Sequence, residues 1–297
     1  MVEKVGFIGL GAIGRPMAMH VAKRFETMVW NRTGEKATVF GKQHHAKVAE
    51  APREVIRWAD VVITCLPTSK EVRSIVTGTK DAWREGQLLV DATSGDPATS
   101  RKTAADLAKR GVGFVDAPVS GGTSGAEAGK LTVMLGGDAK WIPTATDVVN
   151  AFAGKVVHVG PVGAGHAVKA INNALLAINV IAAGEGFAAL VKLGVPAQAA
   201  LDVINASSGR SNVTENLMGP RVLSRAWPRT FRLALLDKDV GIASDILEQT
   251  GVPNRAIAVA KAAYAEARKA LGEEADHVEL IKLIEQAAGV TIEGKGD

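Results

Sequence analysis

A lysine and an amide side chain stand one helical turn apart near the middle of the chain. Lys169 and Asn173 are spaced i, i+4 in a segment of helical pattern, so they share a helix face. Apolar neighbours would partly desolvate the lysine, lower its pKa and allow proton exchange at neutral pH. Such a lysine can act as a general acid toward a carbonyl that is being reduced, or as a base in the reverse direction. The alternative is a lysine that only extends its charge from an apolar helix into solvent.

A glycine-rich loop near the start of the chain has the pattern of a dinucleotide site. The run Gly9–Gly14 follows an apolar strand pattern and precedes a helical one. Gly9 permits a tight turn, Gly11 lets backbone amides approach a pyrophosphate, and Gly14 lets the helix pack against the strand. The expected cofactor contacts in this loop are Gly9, Gly11, Ala12, Ile13 and Gly14. An ordinary glycine turn between a strand and a helix is the alternative.

The end of the second predicted strand indicates which dinucleotide would bind. Asn31 stands where an NAD-preferring site usually places an acidic residue, so no carboxylate repels a 2′-phosphate there. Arg32 adds a planar charged group and Thr33 a hydroxyl. These three residues predict a preference for NADP, with NAD less favoured. Capping of the next helix by Asn31 or Thr33 is the alternative.

A second glycine pair follows a later strand pattern. Ser120, Gly121 and Gly122 enter a loop in which two adjacent glycines can direct successive amides at one place. Such a concavity can bind a carboxylate without an arginine, and the serine hydroxyl could add a donor. A flexible surface loop is the other interpretation.

The elements that would position these residues follow from hydrophobic periodicity. Short apolar runs alternate with longer helical segments from Lys4 to about Gly160, which predicts a parallel sheet with crossover helices. From Ala164 to Leu193 no strong helix breaker intervenes, so one long helix is expected. The predicted strands are Val5–Gly9, Met28–Asn31, Val61–Leu66, Leu88–Asp91, Gly113–Asp116, Leu131–Leu135 and Val156–Val159, and later helices lie near Ala197–Asn205, Lys238–Gln249, Asn254–Ala270 and His277–Ala288.

Together these patterns predict an α/β fold in two domains. An N-terminal Rossmann-like, doubly wound sheet in residues 1–162 would bind the dinucleotide, and an all-α domain in residues 163–297 would follow it. The long helix would join the two.

Composition narrows the classes of partner. The net charge is +4, and the basic residues are scattered among carboxylates, which favours anionic small molecules over nucleic acid. The single cysteine, Cys65, excludes an internal disulfide and fits a reducing cytoplasm. No secretory signal pattern is visible, and the long apolar helix carries polar residues, so we expect a buried helix and no membrane span. His44 and His45 lack further ligands at useful spacing, so no metal site is predicted.

Separated motifs in this order resemble the β-hydroxyacid dehydrogenase family, and within it the dehydrogenases of 3-hydroxyisobutyrate. The resemblance covers nearly the whole chain. The motifs are Gly6–Ala18, Asp116–Gly122 with Gly125, Ala126 and Gly129, the segment Gly163–Asn173, and Lys238-Asp239.

The resemblance implies a role for each matching position. Lys169 matches the family's catalytic lysine, and Lys238 matches a second lysine near cofactor and substrate. Ser120, Gly121, Gly122 and Asn173 match substrate-holding positions, and Leu66, Pro67 and Ser94 match positions beside the nicotinamide. The family's helical domain also mediates oligomer contacts, which implies a homodimer or homotetramer.

The resulting hypothesis is an NADP-preferring oxidoreductase that interconverts 3-hydroxyisobutyrate, or a similar short 3-hydroxy acid, with its semialdehyde. Reduction of tartronate or succinic semialdehyde by the same lysine is the nearest alternative, and an imine reductase is disfavoured because those enzymes usually lack this lysine. A noncatalytic nucleotide-binding module is the alternative from another class. Gly95 and Asn212 stand where bulkier apolar or aromatic residues are frequent in the family, which suggests a roomier or more polar pocket.

Overall fold

The computed structural model describes residues 2–294, and the chain divides into two compact units, Met1–Lys169 and Ala170–Asp297. Helices α1 to α12 are, in chain order, Gly14–Ala22, Gly34–His44, Pro52–Trp58, Ser69–Gly78, Pro97–Ala108, Gly122–Glu127, Ile142–Val149, Ala164–Lys192, Ala197–Asn205, Leu233–Thr250, Ala256–Leu271 and Leu280–Ala288. Strands β1 to β9 are Lys4–Ile8, Glu26–Trp30, Lys47–Val48, Val61–Thr64, Leu88–Asp91, Gly113–Asp116, Val119–Ser120, Leu131–Gly137 and Ala153–Gly160. Short 3-10 turns cover Lys80–Ala82 and His277–Glu279, and a π-helix covers Thr214–Leu223.

The strands of the first unit form one sheet in the order β3-β2-β1-β4-β5-β6-β8-β7, with β9 beside β8. All neighbours from β3 to β6 are parallel, and β8 then runs antiparallel to β6. Crossover helices bring the carboxyl ends of the parallel strands to one edge, where ligands bind in open α/β sheets. The predicted Rossmann-like fold class is confirmed.

The central strands are buried on both faces, as a doubly wound sheet requires. Successive side chains of a strand point to opposite faces, so each strand contributes to two cores. Phe7 and Ile63 belong to one cluster, and their chain neighbours Ile8 and Val62 belong to the other. This explains why these strands read as continuous apolar runs in the sequence.

Helix α8 runs through 29 residues and crosses the boundary between the units. By length and composition alone it could span a membrane, although a core helix passes the same test. Ala170, Ala174 and Ala177 on α8 pack in an apolar cluster of the second unit. The regular secondary structure described for the second unit is helical, apart from a short bridge between Arg232 and Asp276.

Candidate functional site

The Gly9–Gly14 loop has the backbone geometry that a dinucleotide needs. Gly9 has a φ of +106°, and a Cβ there would overlap the carbonyl oxygen of Cys65. A Cβ on Gly14 would overlap the carbonyl oxygen of Gly9, whereas one on Gly11 would meet nothing within 4 Å. Gly9 and Gly14 therefore allow close packing, and Gly11 leaves open space at the start of α1. The Arg15 amide already donates to the Gly11 carbonyl at 3.0 Å and Pro16 has no N–H, so a pyrophosphate at this open helix end would meet the amides of the glycine loop itself.

The residues after β2 have two different environments. Asn31 is hydrogen-bonded to the glycine loop, and Arg32 and Thr33 face solvent. The side-chain oxygen of Asn31 accepts a hydrogen bond from the Leu10 amide at 2.9 Å, and its amide group donates to the Thr33 carbonyl at 3.0 Å. Arg32 and Thr33 are exposed. Thr33 makes no side-chain hydrogen bond to cap α2, so the alternative of a threonine cap is wrong. Asn31 therefore stabilises the glycine loop and leaves Arg32 as the charged group at this position.

Two further loops reach the same edge of the sheet from β4 and β5. The Leu66 amide donates to Thr93 Oγ1 at 3.1 Å, which joins the loop containing Leu66 and Pro67 to the loop containing Ser94. Ser94 is partly buried. The positions assigned by resemblance to the nicotinamide side thus lie on adjoining strand ends, next to the glycine loop of β1.

Helix α8 begins against the same edge, held by a buried carboxylate at the end of β6. Asp116 is fully buried and accepts from the amides of Gly163 at 2.6 Å and His166 at 2.9 Å. Burial raises the pKa of this carboxyl above its usual value, and the His166 ring and the two amides offset that shift only in part. A Cβ on Gly165 would lie 2.9 Å from Asp116 Oδ2 and would overlap the carbonyl oxygen of Met134. The glycines before Lys169 therefore let α8 start close to the sheet.

Lys169 lies one turn after His166, is partly buried, and is the last residue of the first unit. The structure thus brings Lys169 onto the helix that starts at the carboxyl edge. This edge also carries the glycine loop and the Ser94 loop. An ammonium group on this helix is a candidate proton donor or acceptor.

Ser120, Gly121 and Gly122 lie beyond the end of β6. Strand β8 runs antiparallel to β6 and pairs Gly136 with Asp116, so its first residues extend past that edge, where Ser120 pairs with Thr132. Gly121 has a φ of +133° and Gly122 a φ of +64°, conformations that favour glycine. A Cβ on Gly122 would meet nothing within 4 Å. The positive φ alone therefore explains why position 122 is a glycine, and the space around this residue is open to a ligand.

The second unit holds a polar group around a carboxylate that the sequence analysis gave no role. Asn173 and Asp239 are both buried, and the Asn173 amide donates to Asp239 Oδ2 at 2.6 Å. Lys238 Nζ lies 3.0 Å from Asp239 Oδ1. Asn172 donates to Asn173 Oδ1 at 3.1 Å. Asp239 thus orients the amide of Asn173 and pairs with Lys238, and both of these are candidate site residues.

Signals for the missed residues exist in the sequence. Asp239 follows Lys238 directly and continues the apolar face formed by Leu236, Val240 and Ala243, which marks it as a buried acid. Gly95 was interpreted as making a roomier pocket, and the structure corrects this. A Cβ there would overlap Ser69 Oγ and would lie 2.7 Å from the His166 ring, so the space is filled from within the protein.

Cys65 lies against the glycine loop, where its Cβ would be 3.3 Å from a Cβ on Gly14, and it is partly buried. Burial raises the pKa of its thiol to about 12, and the charge of Asp91 adds to that shift. Among residues 2–294, no group of three or more histidine, cysteine, aspartate or glutamate residues could hold a metal ion.

Comparison with known protein families matches both parts of the chain. Residues 4–160 match the NAD binding domain of 6-phosphogluconate dehydrogenase, and residues 163–284 match the NAD-binding domain of NADP-dependent 3-hydroxyisobutyrate dehydrogenase. Together the two models cover most of the chain.

Individual relatives agree with the family models. The chain is 35% identical to 2-(hydroxymethyl)glutarate dehydrogenase of Eubacterium barkeri, over 98% of each chain. The crystal structure of Mycobacterium tuberculosis 3-hydroxyisobutyrate dehydrogenase with L-serine superposes with a TM-score of 0.88 at 32% identity, over 96% of this chain and 99% of that one. The structure of Psf3 in complex with NADP+ and 2-OPP gives a TM-score of 0.80 at 25% identity, over 94% of this chain and 99% of that one.

Proposed function

Because the chain belongs to the β-hydroxyacid dehydrogenase family and is an NAD(P)-dependent 3-hydroxyacid dehydrogenase, we propose that it prefers NADP(H) and interconverts 3-hydroxyisobutyrate with its semialdehyde. The observation that carries the proposal is the start of α8. Asp116 holds this helix at the carboxyl edge of the sheet, and Lys169 follows in its second turn. The proton donor and the cofactor loops therefore belong to one unit.

The chemistry shared by the relatives' ligands supports this substrate class. 3-Hydroxyisobutyrate, 2-(hydroxymethyl)glutarate and L-serine all have a hydroxymethyl group on the carbon that bears the carboxylate. They differ only in the third substituent of that carbon, which is methyl, carboxyethyl or ammonium. We infer that this chain recognises the shared part, with the carboxylate at Ser120, Gly121 and Gly122 and the hydroxyl at Lys169.

The residues divide the work of the reaction. The bound nicotinamide supplies or accepts the hydride. Lys169 donates a proton to the carbonyl oxygen during reduction and takes it back during oxidation. Asn173, held by Asp239 at 2.6 Å, orients the lysine or the substrate oxygen. Lys238, paired with Asp239, contributes positive charge toward the anionic cofactor and substrate.

Replacement of the lysine tests the proposed chemistry. We expect Lys169→Ala to lower kcat by about 10³-fold because proton transfer to the carbonyl oxygen is lost. NADPH should still bind, with a dissociation constant close to that of the wild type by fluorescence titration. Lys192→Ala is the matched control, because Lys192 is an exposed lysine at the other end of the same helix. Turnover by Lys169→Ala at the wild-type rate would refute the assignment.

Preference for NADP is tested at Arg32. A guanidinium contact with the 2′-phosphate, absent from NADH, is worth roughly 1.5–3 kcal/mol, or about 10- to 100-fold in relative kcat/KM. We expect Arg32→Ala to lose most of the ratio of kcat/KM for NADPH over NADH, and Lys42→Ala, an exposed cation at the far end of α2, to keep it. Equal use of both dinucleotides by the wild type would contradict the proposal.

2-(Hydroxymethyl)glutarate is a second candidate substrate, because one of the relatives is named for it. The relative named for 2-(hydroxymethyl)glutarate is similar over the full length of this chain. The kcat/KM values for both hydroxy acids, and for tartronate and succinic semialdehydes, should be compared. Highest kcat/KM for 3-hydroxyisobutyrate supports the first proposal, and highest kcat/KM for 2-(hydroxymethyl)glutarate replaces it with the second.

We also propose that the protein is a homodimer or homotetramer, as the family resemblance implies. Apolar side chains remain exposed on α8, including Leu175 at 56% and Val168 at 43%, and contact with a second copy would cover such residues. Light scattering coupled to gel filtration should give two or four times the mass of the chain, and a monomer at micromolar concentration would contradict this.

A further inference from the structure

His166 is a buried histidine to which the proposed reaction gives no role. It stands one helical turn before Lys169 on α8, and its ring is fully buried. Its Nδ1 lies 2.7 Å from Ser100 Oγ on α5, and its Nε2 lies 4.0 Å from Asp91 Oδ2 at the end of β5. Its backbone amide donates to Asp116. The residue therefore touches three elements that meet at the carboxyl edge of the sheet.

The hydrogen bonds of Ser100 indicate which atom is the donor in the contact between Ser100 and His166. Ser100 Oγ donates to the carbonyl oxygen of Asp96 at 3.0 Å, and a hydroxyl has only one proton. Ser100 Oγ must then accept from His166, which places a proton on Nδ1. Within the described part of the chain, His166 Nε2 is buried and makes no hydrogen bond. The ring is thus held through Nδ1, by a short chain of bonds that ends on the loop before α5.

The same ring supports the loop that contains Ser94. A Cβ on Gly95 would lie 2.7 Å from His166 Cε1 and 2.9 Å from Nδ1, which is closer than real Cβ contacts. It would also overlap Ser69 Oγ, which accepts from the Asp96 amide at 2.7 Å. Only glycine at position 95 leaves room for both side chains. The His166 imidazole therefore occupies the space that the side chain of a larger residue at position 95 would need.

We propose that His166 is a positioning residue that sets Lys169 relative to the Ser94–Gly95 loop, and that Gly95 is the partner this arrangement requires. The inference rests on the proposed function, in which Lys169 exchanges the proton and this loop lies beside the nicotinamide. His166 is bonded at its backbone to Asp116 and at its side chain to Ser100, so the turn that leads to Lys169 is fixed at two points. Rates of proton and hydride transfer depend steeply on such placement.

The first experiment separates turnover from binding. We expect His166→Ala to lower kcat by about 10- to 100-fold, because a shift of about 1 Å at the reacting groups has that effect. The NADPH dissociation constant should change by less than about twofold, since the residues of the Gly9–Gly14 loop are untouched. His166→Asn keeps a donor at the position of Nδ1 and should recover most of kcat. A merely structural role would not produce this recovery of kcat at unchanged affinity.

The matched control is the same change at another buried histidine. His277 lies in the second unit and is 4% exposed. His277→Ala should lower the thermal midpoint while kcat stays close to that of the wild type. If both alanine variants lower kcat equally, the loss reflects general destabilisation and the proposal for His166 fails.

A double-mutant cycle tests the partnership with Gly95. We expect Gly95→Ala to lower kcat about tenfold in the wild type and less than about threefold in His166→Ala, which removes both ring atoms that the new Cβ would meet, a coupling of the size seen for residues in contact. The overlap with Ser69 is present in both backgrounds, so it cancels in the comparison. An equal loss in the two backgrounds would overturn the pairing.

The outcomes also distinguish this inference from the proposed function. If Lys169→Ala abolishes turnover while His166→Ala leaves kcat within twofold, only the positioning role is refuted. If Lys169→Ala keeps full turnover, the proposed function itself fails. Should His166→Ala not fold by circular dichroism, Ser100→Ala decides. Ser100→Ala removes only the hydroxyl partner and should lower kcat about threefold at unchanged NADPH affinity. Unchanged kcat in that variant would refute the proposal.

Discussion

Two glycines of the same helix have opposite physical roles. Gly165 lies at the start of α8, where a Cβ would overlap the Met134 carbonyl and crowd Asp116. Gly186 lies further along, exposed, and a Cβ there would meet nothing within 4 Å. The first glycine allows the helix to approach the sheet, whereas the second only adds backbone entropy to the unfolded chain.

This contrast predicts effects of opposite sign for one substitution. Gly165→Ala should lower the free energy of unfolding by about 3 kcal/mol, because neither the carbonyl nor the buried carboxylate can move away without strain. Gly186→Ala should raise it by about 0.5–1 kcal/mol, the usual gain for alanine in an exposed helix. Urea denaturation of both variants gives these values. Equal effects at the two positions would show that the approach of α8 to β8 is looser than described.

The thiol of Cys65 gives a second prediction for a single residue. Its pKa is raised to about 12, chiefly by burial, so almost none of it is thiolate at pH 8. A thiol reagent should therefore label the native protein orders of magnitude more slowly than the unfolded protein, in which one thiol reacts at once. NADPH should slow labelling further, because Cys65 lies against the glycine loop. Rapid labelling of the native protein would contradict the protected position of this thiol.

Elements with strong periodicity were predictable, and short or irregular ones were not. The strands of four or more residues and the long helix follow apolar runs and breakers, so their predicted positions are confirmed. Strands β3 and β7 have only two residues each, too few for a periodic signal. The π-helix Thr214–Leu223 contains Pro220, which argues against any helix when the sequence is considered alone.

Site residues show the same division. The glycine loops and Lys169 carry motif signals, whereas the supporting groups Asp116, His166 and Asp239 depend on contacts between distant segments. His166, for example, meets Ser100 from 66 residues away. Sequence spacing within a helix or strand cannot predict such contacts. Asp116, His166 and Asp239 stand inside motifs of the family resemblance, but the contacts that give them a supporting role required the structure.

The connection before α12 is organised by one buried carboxylate. Asp276 accepts from the amides of Thr230, Phe231 and Val278, and the His277 ring lies 3.0 Å from it. Burial alone would raise the pKa of Asp276, but the His277 ring and these amides outweigh it and hold the pKa well below its usual value. The charged carboxylate therefore fastens this connection to the start of α10.

The lowered pKa of Asp276 predicts the sign of a pH effect. A group whose pKa is depressed on folding stabilises the protein above its unfolded pKa, which is about 4 for aspartate. That contribution is lost as the pH falls below about 4 toward the folded value. We expect the stability of the wild type to decrease over this range and Asp276→Asn to show a shallower decrease, together with a loss of about 3 kcal/mol at pH 7. The same acid slope in both proteins would contradict the assignment.

On the scale of the whole molecule, each unit has its own apolar cores. Two clusters in the first unit contain residues no later than Val162, and two in the second contain residues from Ala170 onward. The proposed pyrophosphate and 2′-phosphate contacts, Gly9–Gly14 and Arg32, are in the first unit. Stabilisation by NADPH should therefore act first on the unfolding of that unit.

Tryptophan fluorescence allows the unfolding of each unit to be measured separately. Trp30, Trp58, Trp83 and Trp141 lie in the first unit, and Trp227 alone lies in the second. With NADPH at 100 times its dissociation constant, unfolding of the first unit should cost about 2.7 kcal/mol more. The urea midpoint should rise in Trp227→Phe, whose fluorescence reports only the first unit. A variant that retains Trp227 alone should keep its midpoint, because the cores around that residue do not contain the cofactor loops. If NADPH raises both midpoints equally, the two units unfold as one, and the separate cores do not set the unfolding behaviour of the molecule.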